Sequence, residues 1–231
     1  MTTPSKPSKG KVTASASHRA YDMVRDRLLR FKFMPNQKIN ENLLADELRI
    51  SRTPLREALN RLAAEGLLVS SGRGLSIPGL EPEVVFDLFE ARLEIECATV
   101  RMACERATDA DLARMSDFLE LSMAESPDAS VDRLIELDLH FHDTIAKLAG
   151  NKVLRQTLCN LNDRIHLIRW IAMEGRRQGT QAEHRRILDH MQARDDRAAM
   201  AGMREHILHR NEDILAAIKA AYGHVYTLST G

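Results

Sequence analysis

Residues 43–74 read LLADELRISRTPLREALNRLAAEGLLVSSGRG, and the spacing of their apolar side chains decides the fold of the N-terminal part of the chain. In ENLLADEL, residues 41–48, Leu43, Leu44 and Leu48 form the buried side of a short helix. After the connection Arg49-Ile50-Ser51, a second helix begins in TPLREALNRLAAEG, where Leu55, Leu59 and Leu62 recur at helical spacing. Pro54 fits the first helical turn, because its missing N–H would have no partner there anyway. Gly66 stops the helix. Two short helices joined by three residues form a helix-turn-helix, in which the start of the second helix meets base edges in the major groove.

Working upstream, Tyr21, Val24, Leu28 and Phe31 predict one amphipathic helix from His18 to Phe33, ending before Pro35. Residues 1–16 contain only small, polar and basic residues apart from Met1 and Val12, and read as a disordered basic arm. Working downstream, LLVSSGRGLSIPG predicts two short strands joined at Ser71-Gly72-Arg73-Gly74, the shape of a wing. The segment PGLEP then breaks secondary structure, which puts a domain boundary at residues 78–82 and a winged helix-turn-helix domain at 17–79.

Beyond that boundary the pattern is helical throughout, and residues 83–222 are expected to form an all-α antiparallel bundle of about six helices, over 83–106, 108–124, 130–149, 151–174, 180–193 and 195–221. Thr108 and Thr180 each stand three residues before a carboxylate, as in a capping box, and Gly150-Asn151 ends one helix and caps the next. The expected fold class is therefore mainly α, with three helices and a two-stranded wing at the N-terminus.

Composition narrows the function. The net charge is zero, yet residues 1–79 carry 14 Lys/Arg against 7 Asp/Glu, and residues 80–231 carry 19 against 26. A basic module is drawn to a polyanion, and the acidic remainder is repelled by it. No apolar run approaches the roughly 20 residues of a membrane span, and the N-terminus has no apolar signal core, so a cytoplasmic location without membrane contact is expected. Cys97, Cys104 and Cys159 are odd in number and lack metal-site spacing, and are expected to be reduced.

Ser51, Arg52, Thr53 and Arg56 occupy the base-facing start of the second helix. Each arginine has the fork that pairs with O6 and N7 of guanine, a contact that discriminates by about 1–3 kcal/mol. The two hydroxyl side chains suit phosphates, and Gly72 and Arg73 at the wing tip would lie against flanking phosphates or the minor groove.

Farther along, in DLHFHDTIAKLAGN, Asp138 and His142 are four apart and share one helix face, while His140 points elsewhere. His184 and His206 lie on two later helices, so one Asp and three His from three helices are candidates to converge inside a bundle. A set of three imidazoles and one carboxylate suits zinc, nickel or another borderline divalent ion, not calcium or magnesium. A single histidine is more often a satisfied polar residue than a ligand, and spacing alone does not make these four meet.

The run from Leu43 to Gly74, with S-R-T-P-x-R-E-A-L intact, resembles the winged helix-turn-helix of the GntR family of bacterial regulators. That resemblance implies that Ser51, Arg52, Thr53 and Arg56 contact operator DNA, with Gly72 and Arg73 assisting. Two positions depart from it: Arg49 stands at a turn position often filled by glycine, and Asn42 stands where some relatives carry an arginine. Residues 83–222 look like the all-helical effector domain of the FadR-like subgroup, the FCD domain. Its metal-binding members carry D-x-x-x-H followed by two well-separated histidines, which Asp138, His142, His184 and His206 match one for one.

The resemblance further implies a small organic acid that completes the metal shell and meets an arginine from the domain's first helix. Arg92 is the matching position, and Asn162 and Arg164 are further effector candidates. The expected function is a transcriptional regulator, not an enzyme, that pairs as a homodimer on double-stranded operator DNA and whose affinity is set by the acid. Two other readings are a helical metal-dependent enzyme acting on a small acid, and a regulator whose metal is purely structural. Against the enzyme, no general base accompanies the cluster at a recognisable spacing.

Overall fold

A computed structural model describes residues 15–209 apart from Ser71, Arg73, Leu80, Pro127, Leu167 and residues 171–178. Arg73 at the wing tip, residues 1–14 of the expected arm and residues 210–221 of the expected last helix therefore lie outside the described residues. The chain is mainly helical with a two-stranded wing, and it divides into two compact units, Met1–Pro78 and Gly79–Gly231.

In the first unit, α1 spans Ala16–Leu29, α2 Glu41–Leu48 and α3 Arg52–Ala64. The expected arm ends sooner than its composition implies, because the Ser15 hydroxyl accepts from the backbone N–H of His18 and starts α1 at Ala16. At the other end, α1 stops at Leu29 and Phe31 takes a φ of 55°, so the helix does not run on to Phe33. Both α1 and α2 pack on α3. Their core is Ala20, Tyr21, Val24, Leu44, Ala45, Leu48, Leu55, Leu59 and Leu62. Leu43 is 57% exposed, and Ala45 takes the buried place expected of it.

The wing pairs β1, Val69–Ser70, with β2, Leu75–Ser76, in antiparallel register with Val69 opposite Ser76. Gly74 has a φ of 141°, a conformation that L side chains rarely adopt, which is why a glycine closes this turn. A further segment joins the wing on the other edge of β2. Ile39 N–H donates to Leu75 O at 2.8 Å and Ile77 N–H to Gln37 O at 2.9 Å, tying the loop after α1 to the wing. That pairing has no alternating signature in the sequence.

Arg49 ends α2 in the left-handed region, with φ 54° and ψ 44°, and its side chain is exposed. A side chain costs about 1 kcal/mol there relative to glycine. Arg49→Gly is therefore expected to stabilise the first unit by about 1 kcal/mol, read as a rise of several degrees in its thermal midpoint. An unchanged or lower midpoint would show that the strain is relieved by contacts of the arginine itself.

In the second unit, α4 spans Pro82–Arg106, α5 Asp109–Met123, α6 Val131–Leu148 and α7 Lys152–Arg164. Helix α8 spans Thr180–Gln192, and α9 is described over 196–209. Residues 166 and 168–170 are also helical, but Ile165 caps α7, so the single helix expected over 151–174 is interrupted. Helix α4 packs against α6, α7 and α8, and α5 packs against α6 and α8. Their shared core includes Leu93, Val100, Leu119, Phe141, Ile145, Leu188 and Met203.

Several helix starts follow the sequence. Thr108 and Asp111 form a reciprocal capping box, and Asn151 accepts from Val153 and Leu154 N–H after Gly150 at φ 68°. Thr180 does not cap. It is the first buried residue of α8, Gly179 precedes it, and the carboxylate of Glu183 turns to His206 instead of back to the backbone. Cys97, Cys104 and Cys159 are free thiols, and burial pushes the Cys104 thiol up to about 11.

Candidate metal centre and nucleic-acid interface

The leucine face of α3 fixes what its other face presents. With Leu55, Ala58, Leu59 and Leu62 buried, Arg52, Thr53 and Arg56 emerge on the exposed side, and Ser51 precedes them as N-cap. The Ser51 hydroxyl makes no capping bond. Arg52 has no ion-pair partner among the described residues, whereas Arg56 Nε donates to Glu41 Oε2 at 3.2 Å. That pair is exposed and worth little, about 1 kcal/mol or less, so Arg56 can exchange it for another acceptor. Gly72 is exposed in the wing, and Asn42 is exposed at the start of α2.

The second unit brings four distant residues together. Asp138 and His142 come from consecutive turns of α6, His184 from the first turns of α8 and His206 from α9, and all four are buried. One ligand atom from each lies within 4.8 Å of the others. His206 Nε2 is 3.3 Å from His142 Nε2 and 3.4 Å from His184 Nε2, and Asp138 Oδ1 is 3.4 Å from His184 Nε2. Phe141, one residue before His142, stacks on the His184 ring with centroids 3.9 Å apart and sets its plane. His140 faces away, against Phe118.

The outer nitrogens determine what the inner ones offer. His142 Nδ1–H donates to Glu96 Oε2 in a short contact, and His206 Nδ1–H donates to Glu183 Oε2 at 2.6 Å. With the protons held on Nδ1, both Nε2 atoms turn lone pairs toward each other across 3.3 Å. Such an arrangement repels unless the two nitrogens share a cation. Donor separations of roughly 3.3 Å are those of a tetrahedral shell with bonds of about 2.0 Å. The residues thus fit a borderline divalent ion.

Two arginines border the cluster. Arg92 is buried, with Nε donating to Glu96 Oε1 at 2.7 Å, so the Arg92–Glu96 ion pair that sequence spacing allows on a surface is internal. Burial alone would raise the Glu96 carboxyl, but the donors facing it, His142 Nδ1–H and the Arg92 guanidinium, outweigh it and hold the group well below the usual carboxylate range. The other arginine, Arg169, was not among the sequence candidates. It donates to Asp138 Oδ2 through Nη2 and to Asn162 Oδ1 at 2.9 Å through Nη1.

Asn162 is accordingly buried beside the cluster, whereas Arg164 is exposed at the last turn of α7. Two residues along a helix rotate a side chain by about 200°, so Asn162 and Arg164 cannot share a face, while residues seven apart do. On the uninterrupted helix expected over 151–174, that spacing was the available signal for Arg169. Glu96 and Glu183 had only weak ones: a position four after Arg92, and one just before His184. A cavity of about 240 Å³ borders His206, lined also by Glu183, Arg186, His190 and Glu205, but not by Arg92 or Asn162.

Comparison with known proteins bears on both units. Residues 16–76 match the model of bacterial regulatory proteins of the gntR family, and residues 87–209 match the FCD domain. The Nta operon transcriptional regulator of Aminobacter aminovorans is 38% identical over 198 residues, covering 85% of this chain and 93% of its own. The HTH-type transcriptional repressor GlaR of Escherichia coli is 30% identical over 201 residues, covering 81% and 90%. Among solved structures, E. coli McbR/YncC superposes with a TM-score of 0.75 at 19% identity, over 90% of this chain and all of that one, a likeness of fold.

Proposed function

We propose, since the chain belongs to the GntR family of bacterial regulatory proteins and is a DNA-binding transcriptional regulator with an FCD domain, that a small carboxylic acid held at a divalent metal in that domain sets its affinity for operator DNA. The observation that carries this reading is the buried convergence of Asp138, His142, His184 and His206 from three helices. No helix among the described residues is long and apolar enough to cross a membrane.

On this reading Arg52 and Arg56 read bases, Ser51 and Thr53 hold phosphates, and the wing at Gly72 and Arg73 contacts the flanking backbone. Asp138, His142, His184 and His206 hold the metal, with zinc the ion that the donor set suits best. When bound, the ion supplies an electrophilic centre for a carboxylate oxygen. Arg92 receives the other end of the acid, and Asn162 orients it; Arg164, exposed in this structure, would serve only at the mouth of the site. Because the ligands belong to α6, α8 and α9, a change in how they are engaged alters helix packing.

Two copies pair about a two-fold axis, since operators read by such modules consist of two half-sites about one helical turn apart. Binding of the acid changes the spacing of the two reading heads and lowers operator affinity, as in a repressor. By linkage the operator lowers the affinity for the acid by the same factor. The test is a fluorescence anisotropy titration of a labelled duplex from the DNA upstream of the protein's own gene. It is run with zinc, after chelation, and with zinc plus a panel of carboxylic acids. Salt-sensitive binding that weakens at least fivefold with one acid and only in the presence of metal is expected. Binding indifferent to metal and to every acid would overturn the regulatory role of the site.

A further inference from the structure

Glu96 is buried on α4 and makes two contacts at once. Its Oε2 takes the Nδ1 proton of His142, and its Oε1 takes the Nε–H of Arg92 at 2.7 Å. The first contact fixes the tautomer and the plane of a ring whose Nε2 faces His206 at 3.3 Å. We propose that Glu96 is the positioning residue of the buried centre: it keeps the Nε2 lone pair of His142 directed inward, and through the same carboxylate it ties that ligand to Arg92.

Chemistry makes the carboxylate essential here in a way an amide cannot replace. A carboxylate accepts at both oxygens, whereas a glutamine in the same place accepts at one and presents N–H groups at the other. Arg92 and His142 Nδ1–H are both donors on opposite oxygens, so Glu96→Gln must leave one of them facing a donor. Glu183 performs the matching task for His206, but it is less buried and is shared with His209 at 3.5 Å. The centre is therefore anchored unequally, and the firmer anchor is the one joined to Arg92.

This inference rests on the metal-binding part of the proposed function, and cobalt(II) serves as the probe because its visible absorption reports ligand geometry. Loss of an outer carboxylate on a ligating histidine weakens metal binding by about 10- to 100-fold. The apparent cobalt affinity of E96Q is expected to fall by that factor, with an altered visible spectrum. R92M breaks the same ion pair but leaves His142 its acceptor, so it should hold cobalt several-fold more tightly than E96Q.

If E96Q does not fold, R92M/E96L, which removes both buried charges and leaves His142 Nδ1–H without its acceptor, replaces it with the same expected loss. Wild-type protein that takes up no cobalt overturns the metal reading and this inference together. Cobalt uptake by the wild type, with E96Q within threefold of it or equal to R92M, overturns the role of Glu96 alone.

Discussion

Protein carrying Arg52→Ala and Arg56→Ala is expected to lose operator binding while its metal content stays unchanged. The two side chains stand one turn apart on the exposed face of α3, and their removal takes no atom from the leucine core beneath. If each presents a bidentate fork to a guanine, the pair accounts for about 2–6 kcal/mol, or roughly 30- to 20,000-fold in affinity. Arg56 gives up an exposed ion pair with Glu41 to do so, a small cost. Random-sequence duplex should be affected less than operator, since the remaining basic residues still meet phosphate. Equal losses on the two duplexes would mean that the arginines serve as phosphate contacts and that specificity lies elsewhere.

Removal of the metal should produce the second large effect. The buried cluster sets three imidazoles and a carboxylate from three helices within 4.8 Å of each other, so without a shared cation the inward lone pairs repel. An ion present at about 1,000 times its dissociation constant stabilises the folded state by about 4 kcal/mol. For a unit the size of residues 79–231, this corresponds to a fall of about 8–16 °C in the melting temperature on chelation. His184→Ala should already have lost that increment, and chelator should change its midpoint little further. Wild-type protein whose midpoint ignores chelator would contradict metal binding. A purely structural ion predicts the same fall in midpoint, but a ligand specificity unaffected by replacing Arg92.

The sequence and the structure divide along physical lines. Local signals carried well: the leucine spacing of α3, the box at Thr108 and Asp111 and the Gly150-Asn151 stop each depend on residues within about one turn. The four cluster residues were also legible, because an i, i+4 pair on α6 declares a shared face and the resemblance supplied the two remote histidines. Capping at Thr180 failed because Glu183 serves His206, 23 positions away. The same blindness hid Arg169, which reaches Asp138 from 31 positions along the chain.

By itself, then, the sequence determined most of the helices, the inward leucine face of α3, and that a basic reading head precedes an acidic helical domain; these follow from periodicity and composition, which act over short range, whereas the exposure of Leu43 and the break at Ile165 do not. Only the tertiary structure decided which buried charges answer one another. Glu96 lies between Arg92 and His142, Glu183 behind His206, and Arg169 on Asp138. Such pairings are imposed by the cost of burying an unpaired charge, and that cost selects partners by distance in space.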